Sequence, residues 1–109
     1  MKLKIGEFSK RNEVTIKTLR YYEEIELLMP REIDDYTGYR YYDVSQMQDM
    51  NKTKYLKNLG FRLDEIKEML KQNWNLPSSD AIAQKLEACR NEIRALQKRE
   101  TELCYVYRI

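Results

Sequence analysis

A mainly helical fold with one small β element is predicted by three features of the 109-residue sequence. Glycine and proline are scarce, three and two respectively, so helices can run with few breaks. Apolar residues recur at helical spacing along most of the chain, most regularly toward the C-terminus. One stretch, "MPREIDDYTGYRYYD", departs from that pattern, with turn formers leading into strand formers.

The first helix is expected within "IGEFSKRNEV", with Ile5 and Phe8 on one face and an end near Asn12. "TIKTLRYYEEI" follows almost at once and can use Thr15 as its N-cap. Two short helices joined by a tight turn form a helix-turn-helix pattern. Pro30 is expected to stop the second helix, with Leu27 and Leu28 closing it. Residues 30–42 then read as a two-stranded hairpin turning at Thr37 and Gly38. Asp43 and Gln46 resemble a capping box, opening a third helix from Val44 to Leu59 with Met47, Met50, Leu56 and Leu59 inward. Gly60 suits the C′ position and Phe61 its apolar contact. "LDEIKEML" is a fourth helix with Leu63, Ile66, Met69 and Leu70 facing in, and "KQNWNLPSSD" is a linker.

The final segment is the cleanest periodic signal. Ile82, Leu86, Cys89, Ile93, Leu96, Glu100, Leu103 and Tyr107 alternate in steps of four and three, an a/d seam in which only Glu100 is polar. So narrow a stripe favours pairing with a second copy over packing within one chain. The heptads alone leave parallel and antiparallel pairing open.

On the second helix Lys17, Arg20, Tyr21 and Glu24 share one face, while Val14, Leu19 and Tyr22 turn toward Phe8 and Ile5. A braced helix presenting Lys, Arg and Tyr suits a major groove: lysine for phosphate, arginine for phosphate or a guanine edge, tyrosine for a phosphate oxygen. In the hairpin Tyr39 and Tyr41 share one side, and Arg40 and Tyr42 the other. Tyr42 is expected to pack, and Tyr39 and Arg40 to stand exposed.

Composition narrows the alternatives. A net charge of +2 with 35% charged residues gives no global basic character, so a basic surface must come from local clustering. Without histidine, a His-based triad or zinc site is excluded, and no nucleophile–base pair or Gly-rich phosphate loop suggests an enzyme. Cys89 and Cys104 make no disulfide framework, and fifteen positions apart on one helix they cannot converge on a metal within one chain. No cofactor is called for. There is no apolar leader segment and no run long enough to span a membrane. The expectation is a soluble, cytoplasmic protein.

"IGEFSKRNEVTIKTLRYYEEIELLMP", "TGYRYYD" and "LKNLGFRLDEIKEML", in that order over roughly residues 3–71, closely resemble the DNA-binding domain of MerR-family bacterial transcription regulators. The resemblance implies a winged helix-turn-helix over residues 1–71, a linker over 72–79 and a dimerisation helix over 80–109 forming an antiparallel coiled coil. It implies DNA contacts from Thr15, Lys17, Thr18, Arg20 and Tyr21, from Tyr39 and Arg40 on the wing, and from Arg62 in the "LGFRL" turn. It further implies a homodimer on a pseudo-palindromic promoter operator. There it bends and untwists the spacer between the −35 and −10 elements, meeting RNA polymerase through the DNA. The seam residues Ile82, Leu86, Cys89, Ile93, Leu96, Leu103 and Tyr107 would form the dimer contact. Two departures stand out: Glu13 and Glu26 occupy positions where the family usually has glycine. Family members also usually carry a C-terminal effector domain or a cysteine-bearing metal loop, whereas this sequence ends at Ile109. A DNA-architectural or excisionase-like factor built on the same winged module, and a coiled-coil adaptor that binds only protein, are the competing readings.

Overall fold

The computed structural model describes residues 1–73 and 77–109. The chain forms two compact units, Met1–Asn75 and Leu76–Ile109. The first contains β1 (Lys2–Lys4), α1 (Ile5–Asn12), α2 (Ile16–Glu24), β2 (Glu32–Ile33), β3 (Arg40–Asp43), α3 (Gln46–Asn58) and α4 (Leu63–Lys71). The second is one long helix, α5 (Ser79–Arg108). The expected linker over 72–79 includes residues 74–76, which lie outside the described residues, and α5 begins one residue earlier than expected.

Helix closure follows one chemical rule. At the end of α1, Val14 N–H donates to Ser9 C=O and Glu13 N–H to Lys10 C=O. At the end of α2, Leu27 N–H donates to Tyr22 C=O and Glu26 N–H to Glu23 C=O. At the end of α3, Phe61 N–H donates to Leu56 C=O and Gly60 N–H to Lys57 C=O. Each is a Schellman pair, which needs a left-handed residue at C′. Those residues are Glu13 (φ 54°), Glu26 (φ 59°) and Gly60 (φ 95°). Glycine would hold all three without strain, and two of them are glutamates.

This corrects two boundaries. Helix α2 ends at Glu24 through its own C-terminal motif, well before Pro30, and Leu27 and Leu28 are buried beyond it. Helix α3 is Gln46–Asn58 and not Val44–Leu59; Leu59, expected inward, is half exposed in the closing turn. The Asp43/Gln46 device is present, with Asp43 N–H donating to Gln46 Oε1 at 2.8 Å and Ser45 N–H donating to Asp43 Oδ2 at 2.9 Å.

The expected two-stranded hairpin is the edge of a three-stranded antiparallel sheet in the order β1-β3-β2. Lys2, Leu3 and Lys4 pair with Asp43, Tyr42 and Tyr41. Leu3 and Tyr42 enter the core with Phe8, Leu19, Met50 and Ile66. Phe8 and Tyr42 stack with ring centroids 4.5 Å apart and planes 8° apart. The Tyr42 hydroxyl has no hydrogen-bond partner among the described residues. Lys54 Nζ donates to Asn12 C=O at 2.7 Å, fixing α3 to the negative C-terminal end of α1.

Candidate nucleic-acid interface

The α1–α2 turn aims α2. Thr15 is its N-cap, its Oγ1 accepting the Thr18 N–H at 3.0 Å and lying 2.8 Å from Thr18 Oγ1. Both hydroxyls, expected as DNA contacts, are thus engaged with each other, though Thr15 remains exposed and Thr18 partly so. Leu19 and Tyr22 are buried and hold the helix to the core. On the opposite side Lys17, Arg20 and Tyr21 are exposed. Neither Lys17 nor Arg20 has an ion-pair partner among the described residues. Ile16, which sequence reasoning passed over, is exposed beside them in the first turn.

The wing loop between β2 and β3 is ordered by an Asx turn. Asp34 Oδ1 accepts the N–H groups of Tyr36 at 2.8 Å and Thr37 at 2.9 Å. Those bonds hold the Asp34 carboxyl below its ordinary pKa. Asp34 N–H donates to Tyr39 C=O at 2.9 Å, and Gly38 takes φ 72°. Tyr36 is 100% exposed at the tip and went unnoticed in the sequence. Tyr39 is half exposed. Lysines from β1 cover the tyrosine face of the sheet: Lys4 Nζ lies 5.1 Å from the Tyr39 ring centroid and Lys2 Nζ 5.7 Å from that of Tyr41.

Arg40 departs from expectation. It does not stand clear of the domain. Its Nε donates to Glu23 Oε1 at 2.6 Å and its Nη2 to Glu23 Oε2 at 3.2 Å. Side-chain exposure is 34% for Arg40 and 18% for Glu23. The reason is the strand alternation that buries Tyr42, which turns Arg40 to the same side, against the last turn of α2. The bidentate fork ties wing to helix and raises the guanidinium pKa further, chiefly through the Glu23 hydrogen bond.

Arg62 sits at the start of α4, its N–H donating to Glu65 Oε1 at 2.9 Å. Its guanidinium is largely exposed but lies 3.3 Å from Asp64 and 3.6 Å from Glu65, so its charge is already partly countered. A surface cleft of ≈ 590 Å³ separates the wing from α1 and α2, framed by Lys4, Gly6, Lys10, Arg20, Gly38 and Tyr39 among others.

In the second unit no residue of α5 is buried. The seam residues Ile82, Leu86, Cys89, Ile93, Leu96, Leu103 and Tyr107 are all exposed. Ser78 caps the helix, its Oγ accepting the Ala81 N–H at 3.3 Å. Among the described residues no cluster of metal-ligating side chains is present, and no helix is long and apolar enough to cross a membrane.

Known proteins resemble both parts of this architecture. Residues 3–73 match the family model described as MerR HTH family regulatory protein. Residues 47–104 match the one described as MerR, DNA binding. The HTH-type transcriptional activator mta of Bacillus subtilis (strain 168) is 41% identical over 70 residues, covering 64% of this chain and 27% of that protein. The multidrug-efflux transporter 1 regulator of the same organism is 47% identical over 64 residues, 59% of this chain and 23% of that protein. The chain thus spans about a quarter of the length of these two relatives. Among solved structures, the EcmrR–DNA complex within EcmrR-RPo superposes with a TM-score of 0.74 at 38% identity, covering 86% of this chain and 34% of that one. With a family model matched over residues 3–73, the chain belongs to the MerR HTH family of regulatory proteins.

Proposed function

We propose that this chain is a sequence-specific transcription regulator that binds promoter DNA as a homodimer, each copy placing α2 in the major groove with the wing against the flanking backbone. One observation carries the reading. Lys17, Arg20 and Tyr21 project from the side of α2 opposite Leu19 and Tyr22, and both cations are without ionic partners among the described residues. Thr15 and Thr18 contribute at the helix N-terminus that Thr15 caps, Tyr39 through its half-exposed side chain and Arg62 as a peripheral phosphate contact. The resemblance to a DNA-bound relative supports the same placement. A dimer of such modules binds two half-sites on one face of the duplex, about one or two helical turns apart. Distortion of the spacer between the −35 and −10 elements then couples binding to RNA polymerase. The setting is the cytoplasm, and the chain is assigned no reaction.

The second copy is the occupant that the α5 seam fits. In a full-length antiparallel register the a/d layers place Ile82 against Tyr107, Leu86 against Leu103, Cys89 against Glu100 and Ile93 against Leu96. Fluorescence anisotropy with promoter duplexes tests the DNA reading. Arg20→Ala should cost on the order of 1–3 kcal/mol if the fork reads a base edge, and unchanged binding by Arg20→Ala with Tyr21→Ala would sink it. Oxidative cross-linking in a Cys104→Ser background tests the dimer. A parallel pair would align the two Cys89 residues and bond them. The antiparallel pair separates them by about 16 Å at ~1.5 Å per residue, beyond disulfide reach. Glu100→Cys in that background should cross-link instead. A Cys89–Cys89 bond would overturn the antiparallel register and leave the DNA reading standing.

A further inference from the structure

We propose that the cleft between β1, α1 and the wing seats a phosphodiester of bound duplex DNA, with Lys4 and Lys10 supplying its charge. This rests on the reading of the chain as a duplex binder and extends the contact surface from α2 and the wing to β1 and to α1, the first helix of the helix-turn-helix. The cleft has a volume of ≈ 590 Å³, and its lining comes from separate parts of the sequence, Lys4, Lys10, Arg20 and Tyr39 among them. Arg20 and Tyr39 are also residues of the proposed groove and wing contacts. A DNA backbone that passes from α2 to the wing therefore crosses this cleft.

The charges there are arranged for an anion. Lys10 and Arg20 have no ion-pair partner among the described residues. Lys4 rests over the Tyr39 ring, a contact that holds the ammonium without consuming its charge. The acidic residue on the rim, Glu7, is engaged by Arg11 at 3.0 Å, and Arg40 is engaged by Glu23. The rim thus keeps three uncompensated cations around one neutralised carboxylate. Gly6 adds no side chain to the floor, and a Cβ there would meet nothing within 4 Å, so backbone approach is unobstructed.

Salt dependence of binding to a random-sequence duplex is the test. Each phosphate contact contributes a slope of about −0.9 in log affinity against log salt. Lys4→Gln with Lys10→Gln should flatten the slope by about one such contribution, equally on operator and random duplexes, with the circular dichroism spectrum retained. An unchanged slope would overturn the proposal while Arg20→Ala still tests the wider DNA reading. Inorganic phosphate separates the two sources of the same chemistry. Saturable, lysine-dependent shifts of the Gly6 and Lys10 amides at millimolar phosphate that survive saturation with duplex would assign the cleft to a free anion and refute its role as a backbone seat. Loss of those shifts once duplex is bound supports it.

Discussion

Replacing Arg40 by alanine separates two roles that a wing arginine can play. If it only touches phosphate, removing it weakens DNA binding and leaves the fold alone. The Glu23–Arg40 fork predicts the reverse emphasis. Glu23 has 18% side-chain exposure, so without Arg40 its carboxylate stays largely enclosed and unpaired. A fully buried pair broken on one side costs roughly 3–5 kcal/mol, and an exposed pair is worth about 0–1 kcal/mol. With Arg40 a third exposed, solvent screening brings the expectation to about 1–2 kcal/mol, most of it coupling between the two side chains. For a unit of this size that is a fall in Tm of roughly 5–15 °C. The assay is a double-mutant cycle of Glu23→Ala and Arg40→Ala by urea denaturation at fixed protomer concentration, since the proposed dimer would add a concentration term. A coupling energy within about 0.3 kcal/mol of zero would refute the reasoning. The salt slope of DNA binding gives an independent check. Arg40→Gln should leave it unchanged, whereas loss of about 0.9 would show a direct phosphate contact.

Three further outcomes follow from the same geometry. Glu26→Gly should raise stability by about 0.5–1 kcal/mol in thermal unfolding, because relief of left-handed strain of roughly 1–2 kcal/mol exceeds glycine's extra entropy; the Lys67 contact at 3.8 Å is too exposed to matter, and a loss of stability would show that Glu26 is not strained. Tyr42→Phe should be neutral or stabilising by up to about 1 kcal/mol in denaturant, since its enclosed hydroxyl, pushed up to about 12 mainly by burial, has no partner among the described residues; a clear loss would reveal a hydrogen bond. Asp43 is held down to about 2, first by the Ser45 hydroxyl and N–H and then by the chain N-terminus. Its folded pKa lies below the unfolded value of about 3.9, so its contribution is present above pH 4 and is lost as pH falls toward 2; carboxyl NMR should give a midpoint near 2, and an ordinary midpoint would contradict the capping geometry.

The features legible in the sequence are those fixed by local chemistry. Thr15 caps α2 and Gly60 closes α3 because capping depends on residues within one turn. The outward set Lys17, Arg20 and Tyr21 follows from helical spacing once Leu19 and Tyr22 are taken as core. Strand β1 was not legible: "KLK" is three residues whose stability comes from pairing with β3 some forty positions away. Its lysines therefore joined no candidate interface. Arg40 was half legible, since alternation put it on Tyr42's side, but the consequence depends on where α2 packs. The α2 terminus was misplaced because proline is a conspicuous stop, while a Schellman turn closed by glutamate carries no composition signal. Glu26 was visible as an anomaly only by resemblance, and its φ of 59° shows what the position demands.

The arrangement also explains how a chain of net charge +2 can offer a cationic surface. Near the cleft and the wing, three carboxylates are occupied at short range, Glu23 by Arg40, Glu7 by Arg11 and Glu32 by Lys2, while Glu24 on the α2 face has no ion-pair partner among the described residues. Lys10, Lys17 and Arg20 are without such partners among the described residues. At physiological salt the screening length is about 8 Å, so a phosphate in the cleft responds chiefly to the charges beside it. Net charge is then the wrong quantity for judging DNA binding in this domain. What matters is which charges are already paired within the fold. A substitution that frees Glu7 at the cleft rim should therefore weaken DNA binding more than one that adds a carboxylate beyond the screening length from the cleft.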